Sequence, residues 1–387
     1  MTDRPDFTTR AVRAGLDSDE VTGAVVPPIH LSSTFAFRGY GDKRPYDYSR
    51  SGNPTRDHLS RAIADLEDAV GGVVTGSGMG AITLCGYLIP QGSRIIAPHD
   101  CYGGTYRLFA AWTRRGDHRV DFVRFDDKAA LDAALAQPFA MLWIETPSNP
   151  LLRITDIEAL ASRAKARGAI TVVDNTFLSP GWQKPISLGA DLVLHSTTKY
   201  INGHSDVVGG AVVAATKELA DQLGWWANCL GLTGSAFDSF LTLRGLRTLQ
   251  ARLNVHGHNA GELANWLAKE KGISRVFYPG LPAHPGHDIA KRQQTGFGAI
   301  ITIELAGGTR AVKAFVTGLE FFSLAESLGG VESLVAHPGT MTHAAMDEAS
   351  RKAAGLTDGL LRLSIGIESL EDLRRDLAAG LARATRA

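Results

Sequence analysis

Between residues 72 and 215, short apolar runs alternate with stretches whose apolar residues recur at helical spacing. The runs are GVVTG, SRIIAP, RVDFVRF, AMLWIET, AITVVD, ADLVLHS and GGAVVAA. TYRLFAAWTRR and IEALASRAKAR are two of the helix-like stretches between them. A strand that is apolar on both faces needs cover on both sides, and helical crossovers supply it. The pattern therefore predicts an α/β fold around a mostly parallel, seven-stranded sheet. In sheets of this kind, ligands gather at the carboxyl ends of the strands.

The flanking sequence differs in kind. VVPPIHLSSTF and DKRPYDYSRSGNPT carry Pro, Ser, Gly and aromatics without helical periodicity, as a segment does when it wraps over another surface. A first helix is expected after them. Asn53 caps it, Pro54 suits its first turn, Leu59, Ile63, Leu66 and Val70 form its stripe, and Gly71 and Gly72 end it. A long helical region, 239–271, reads as a connector. Strands near VFYPG, GAIITIEL, FFSLAES and LLRLSIG suggest a smaller α+β domain. The expected division is an arm over 1–58, a large domain over 59–250 and a C-terminal domain over 251–387. The length of 387 residues agrees, because one core stops growing at roughly 250–300 residues.

Forty basic residues balance forty acidic ones, so no net charge draws the chain to nucleic acid or an anionic membrane. No apolar run approaches the roughly 20 residues of a membrane span. MTDRPDFTTR does not read as a signal peptide, and Cys85, Cys101 and Cys229 lie too far apart for a disulfide framework or zinc site. A cytoplasmic protein is the expectation.

If the sheet is parallel, several strand ends bring reactive groups to one rim. AITVVD ends at Asp174, and ADLVLHS ends at His195 and Ser196, with Thr197, Thr198 and Lys199 following. SRIIAPHD leads to Tyr102, and GVVTG leads to Ser77, Gly78, Met79 and Gly80. A glycine-rich turn opening a helix offers N–H groups and the positive dipole end to a phosphate. Ser196 and Thr198 could add hydroxyl donors. A lysine held near apolar strand ends can have its pKa lowered, which makes the amine available for a Schiff base. An aspartate suits a protonated ring nitrogen, and a tyrosine suits the face of a flat ring. Together these groups describe a pyridoxal phosphate site. Each alone has a plainer reading as a turn, a cap or a solvated charge. GSGMG matches neither the dinucleotide fingerprint nor a P-loop. HGHN and HPGH lack a third ligand cluster, so no metal is expected, and Cys101 has no evident activating partner.

The stretch DLVLHSTTKYINGHSDVVGG resembles the lysine signature of the Cys/Met-metabolism family of pyridoxal-phosphate enzymes, of fold type I. Collinear motifs extend the resemblance over nearly the whole chain, among them DYSRSGNPTRD, GSGMGAI, APHDCYGGTYRLF, ETPSNPLLRITDI, VVDNTFLSP, LAESLGGVESL and LRLSIGIE. The resemblance implies that Lys199 holds pyridoxal phosphate as a Schiff base and later shuttles protons. It implies that Asp174 pairs with the ring nitrogen and that Tyr102 stacks on the ring. Gly78, Met79, Ser196 and Thr198 would hold the phosphate. Tyr48 and Arg50 would complete that phosphate site in a neighbouring subunit, with Tyr48 joining Lys199 and Tyr102 in the catalytic set. Arg362 would anchor the substrate α-carboxylate, supported by Asn149 and Ser327, with Glu326 and Arg107 lining the substrate pocket. The expected assembly is a homotetramer, a dimer of dimers. Within the family, VVPPIHLSSTF, APHDCYGGTYRLF and the WWAN segment weigh toward γ-replacement. That reaction joins an O-acyl-L-homoserine, here O-succinylhomoserine, to cysteine and gives cystathionine. γ-Elimination of cystathionine is the alternative, and a non-catalytic protein on the same fold is a remote one. Ser51 stands where a second arginine after the YSR cluster would suit a succinyl carboxylate, which leaves Arg107 or Lys43 for that role.

Overall fold

The computed structural model describes residues 4–342 and 354–387. The apolar runs form strands β1 (Gly71–Thr75), β2 (Arg94–Pro98), β3 (Arg119–Val123), β4 (Met141–Glu145), β5 (Ile170–Asp174), β6 (Leu192–His195) and β7 (Gly210–Ala214). They make one sheet in the order β1-β7-β6-β5-β4-β2-β3. Only β7 breaks the parallel pattern, running antiparallel to β6 and to β1. The other strands therefore all point their carboxyl ends to one rim. This is the expected α/β architecture.

Alternation along each strand sorts side chains onto two faces. Trp143, Val172, Leu192 and Leu194 pack on one face with Phe109 and Trp112 of the helix Gly103–Arg115. Ile144, Val173 and Val193 pack on the other with Leu59, Ile63 and Leu66 of the helix Pro54–Leu66. Both faces are dry, and each fully buried aliphatic side chain contributes roughly 1.5–3 kcal/mol.

A second sheet holds β8 (Ile273–Phe277), β9 (Ile300–Leu305), β10 (Ser323–Leu324), β11 (Leu334–Ala336) and β12 (Leu360–Ser364), in the order β10-β11-β12-β9-β8. Leu361 and Leu363 of β12 share a core with Leu253 and Leu263 of the helix Leu249–Leu267 and with Leu373 and Leu377 of the helix Leu370–Arg386. No helix among the described residues is long and apolar enough to cross a membrane.

Three local expectations need correction. The first helix ends at Leu66, not at Gly71. Asp68 adopts a left-handed φ of 59°, and Ala69 N–H reaches back to Ala64 O at 2.9 Å, a closing motif that glycine more often provides. Val70 is 62% exposed rather than on the stripe, and its N–H already bonds Ala214 O, at the end of β7. Gly71 and Gly72 belong to β1, and a Cβ on Gly72 would lie 2.4 Å from Val212 O. The connector is two helices, Ala236–Leu246 and Leu249–Leu267, broken at Arg247 and Thr248. The third correction concerns β11, which the sequence reading did not find and which pairs with β12. Three residues are too few to show a period.

Candidate active site

The strand ends open into one cavity of about 470 Å³. Gly78, Met79, Tyr102, Arg107, Asn149, Asp174, Ser196, Thr198, Lys199, Glu326, Ser327 and Arg362 all line it. Tyr48 and Arg50 do not. They border a separate groove beside Thr233–Phe237, where Arg50 Nε donates to Asn228 Oδ1 at 3.1 Å. Lys43 is engaged by Asp47 at 2.8 Å and does not line the cavity.

One wall is the amino end of the helix Gly78–Gly86. Ser77 caps it by accepting Gly80 N–H at 3.1 Å. The N–H groups of Gly78 and Met79 precede the first intrahelical bond, so they face the cavity as an anion cradle. The approach is close: a Cβ on Gly78 would lie 3.1 Å from Ser196 Cβ. The Thr198 hydroxyl is turned to Gly209, accepting its N–H at 3.0 Å and donating to its carbonyl at 3.2 Å. Ser196 is held by its backbone, which donates to Thr176 Oγ1 at 2.9 Å.

The opposite end carries two carboxyl groups on neighbouring strands. Glu145 and Asp174 are register partners on β4 and β5, so both project into the cavity. Asp174 accepts Thr176 N–H at 3.0 Å. Glu145 accepts Tyr102 N–H at 2.6 Å, Thr105 Oγ1–H at 2.9 Å and Trp143 Nε1–H at 2.9 Å. Burial, and then the charge of Asp174, push the Glu145 carboxyl up to about 8, and burial also pushes Asp174 up. The sequence reading missed Glu145. Its signal was the one that picked Asp174, a carboxylate closing an otherwise apolar strand. Glu145 also anchors the helix Gly103–Arg115, because Tyr102 at its start makes no side-chain cap bond.

Between these ends sits Lys199, whose Nζ donates to Ser327 Oγ at 2.7 Å. Burial, then the positive charge of Arg362, push its amine down to about 8, against the opposing charge of Glu326. Ser327 holds a strained φ of 90°, a conformation of order 1–3 kcal/mol above the common regions. Arg362 maintains it, donating to Ser327 O at 2.7 Å and to Asn149 Oδ1 at 3.1 Å. Arg362 is 3% exposed and lies on β12, an interior strand of its sheet. Burial pushes its guanidinium down to about 10, against the opposing charge of Glu326, and its hydrogen bonds go to neutral oxygens. A buried cation with neutral partners is a ready receptor for an anionic group.

Residues 8–382 match the family described as Cys/Met metabolism PLP-dependent enzyme. The chain belongs to that family. It is 52% identical to the cystathionine gamma-synthase of Escherichia coli (strain K12), over 98% of each chain. It is 47% identical to the cystathionine beta-lyase of Coxiella burnetii (strain RSA 493 / Nine Mile phase I), over 96% of this chain and 97% of that one. Cystathionine gamma synthase from Xanthomonas oryzae pv. oryzae, solved in complex with aminoacrylate and cysteine and again with cystathionine, is 60% identical over 99% of both chains, with a TM-score of 0.98.

The enzyme depends on pyridoxal phosphate, and its cavity fits that group. A phosphate suits the N–H cradle at Gly78 and Met79, which a side chain on Gly78 would crowd. A protonated ring nitrogen facing Asp174 would relieve the penalty of two buried acids without a cation. An aldehyde suits an amine already pushed toward its neutral form. At pH 7 the shift of Lys199 from 10.5 to about 8 raises its neutral share from about one in three thousand to about one in ten. Only the neutral amine attacks, so uptake of pyridoxal phosphate by the apoenzyme should rise about tenfold per pH unit below pH 8 and flatten above it. Stopped-flow absorbance would follow this, and a rate already flat from pH 6 would contradict it.

Proposed function

We propose that this enzyme is a cystathionine γ-synthase of methionine biosynthesis. It exchanges the succinyloxy group on Cγ of O-succinyl-L-homoserine for the sulfur of L-cysteine, giving cystathionine and succinate. The observation that carries the reading is the pair Arg107 and Glu326 in the same cavity as Lys199 and Arg362. A substrate held by its α-carboxylate at Arg362 extends toward one positive and one negative side chain. The arginine suits an acyl carboxylate and the glutamate suits the ammonium of incoming cysteine. Likeness to synthases over the full chain supports this.

Pyridoxal phosphate, when bound, supplies a sink for the electron pair left as a C–H bond beside the amino group breaks. The protein supplies the rest. Asp174 would hold the ring nitrogen's proton, Tyr102 would cover the ring face, and Gly78, Met79, Ser196 and Thr198 would hold the phosphate. Lys199, as the neutral amine, would take the α-proton, release it, and only then take one from the β-carbon, so that the Cγ–O bond can break with the acyl carboxylate as leaving group. The cysteine sulfur, its thiol proton lost to solvent, would then form the Cγ–S bond, and Lys199 would return one proton to the β-carbon and then one to the α-carbon. Arg362 and Asn149 fix the carboxylate so that the α C–H bond faces the amine.

The discriminating experiment offers O-succinylhomoserine, O-acetylhomoserine and cystathionine, each with and without cysteine. Cystathionine formation supports the synthase. Dominant release of 2-oxobutyrate from cystathionine would establish γ-elimination instead.

The proposed assembly is a dimer of dimers in the cytoplasm, with Tyr48 and Arg50 reaching the neighbour's phosphate site. Their distance from this chain's own cavity, and the 50% exposure of Tyr48, support that. Mixing Arg50→Ala and Lys199→Ala chains should restore about a quarter of wild-type activity, since about half the dimers are mixed and carry one intact site. A mixture no more active than its parents would place Arg50 in its own chain's site.

A further inference from the structure

The face of the large sheet turned away from the cavity carries a buried polar cluster that the chemistry above does not use. Glu67, which closes the helix Pro54–Leu66, is fully buried there. Its Oε1 accepts Asn175 Nδ2–H at 2.8 Å and lies 2.7 Å from His195 Nε2. Asn175 Nδ2 also donates to Gln183 O at 3.0 Å, and Gln183 Nε2 donates to Asn175 Oδ1 at 3.0 Å and to Thr146 O at 3.3 Å. Asn175, His195 and Gln183 are themselves buried. Each of Thr146, Asn175 and His195 adjoins a residue that faces the cavity: Glu145, Asp174 and Ser196. One carboxylate oxygen thus grips the ends of β5 and β6, and through Gln183 that of β4.

The ladder explains why a grip is needed. The last register pair of β5 and β6 is Asp174 with Leu194. Beyond it only Asn175 N–H to Leu194 O and Ser196 N–H to Thr176 Oγ1, both 2.9 Å, join the two segments. A buried carboxylate is unfavourable unless paired or hydrogen-bonded, and an apolar residue would close this helix without that penalty. The second oxygen of Glu67 and Nδ1 of His195 take no hydrogen-bond partner among the described residues. The ammonium of Lys184, 3.2 Å from Asp68, is the cation whose field Glu67 shares.

We propose that Glu67 is a positioning residue for the cofactor. With Asn175 and His195 it fixes the spacing between Asp174, at the ring nitrogen, and Ser196, beside the phosphate. Pyridoxal phosphate is one stiff body, so both ends are met together only if the two strand ends hold their separation. The inference rests on the assignment of this cavity to pyridoxal phosphate.

The test uses the full-length apoenzyme, titrated separately with pyridoxal phosphate and with inorganic phosphate. Glu67→Ala, checked by circular dichroism, should bind pyridoxal phosphate at least about tenfold more weakly, while its affinity for phosphate alone changes less than about twofold. Glu67→Gln, whose carbonyl oxygen still accepts from Asn175, should recover part of the loss, and kcat per bound cofactor should follow the same order. If Glu67→Ala does not fold, Glu67→Gln is read alone, with a loss of about threefold or more expected for pyridoxal phosphate only. Unchanged pyridoxal phosphate affinity in a folded variant, or an equal loss for both ligands, would reduce Glu67 to a structural role. A wild-type chain that takes up no pyridoxal phosphate would instead overturn the assignment of the cavity, and the inference with it.

Discussion

Lys199→Ala is expected to slow turnover by roughly 10²–10⁴-fold, the contribution of a positioned proton-transfer group. The variant should still fold, because among the described residues Lys199 Nζ hydrogen-bonds only Ser327 Oγ. It should also retain pyridoxal phosphate by its other contacts, at the amino end of the helix Gly78–Gly86 and at Asp174. Turnover per bound cofactor separates lost chemistry from lost binding. The visible band of the lysine-linked cofactor should vanish as well. A variant within about tenfold of wild type would remove Lys199 from the proton transfers.

Arg362→Ala should lower kcat/KM for any amino-acid substrate by a factor of roughly 30 to 4,000. That range is the 2–5 kcal/mol lost when one partner of a buried, hydrogen-bonded charge pair is truncated. The loss has two sources in this structure. The proposed anchor of the α-carboxylate is removed, and Ser327 loses the guanidinium bond that holds its carbonyl and its left-handed backbone. Ser327 in turn contacts Lys199, so kcat should fall together with a rise in KM. Steady-state kinetics with a saturating thiol would read both. A variant altered in KM alone would show that Ser327 keeps its place without Arg362. Substitution by lysine would not rescue the enzyme fully, since one ammonium cannot span Asn149 and Ser327 as the planar guanidinium does.

Much of this was legible in the residues. Asp174, Lys199 and Tyr102 stand out because polar groups at the ends of apolar strands have a restricted range of uses, and a Gly-Met-Gly turn at a helix start has few. Arg362 was legible only through resemblance, since on local grounds an arginine in LLRLSIG reads as an edge residue. Glu145 and Glu67 were missed for opposite reasons. Glu145 carried the right signal beside a more conspicuous neighbour. Glu67 sits at the end of an amphipathic helix, where a carboxylate is ordinarily solvated. Only the sheet packed over it makes it buried.

The sequence by itself determined the strands and helices of the large sheet, because burial on both faces leaves an apolar run that no other structure in the chain requires. It also determined the chemical kinds of group at the strand ends. Tertiary structure decided which of them meet. Ser327 lies 128 positions from Lys199, and Asn149 lies 213 from Arg362, yet each pair is within hydrogen-bond reach. It also decided the lowered pKa of Lys199, the direction of β7 and the grip of Glu67 on two strand ends. These depend on which surfaces exclude water and on how sheets pack against their helices, and no local stretch of residues encodes that separation in space.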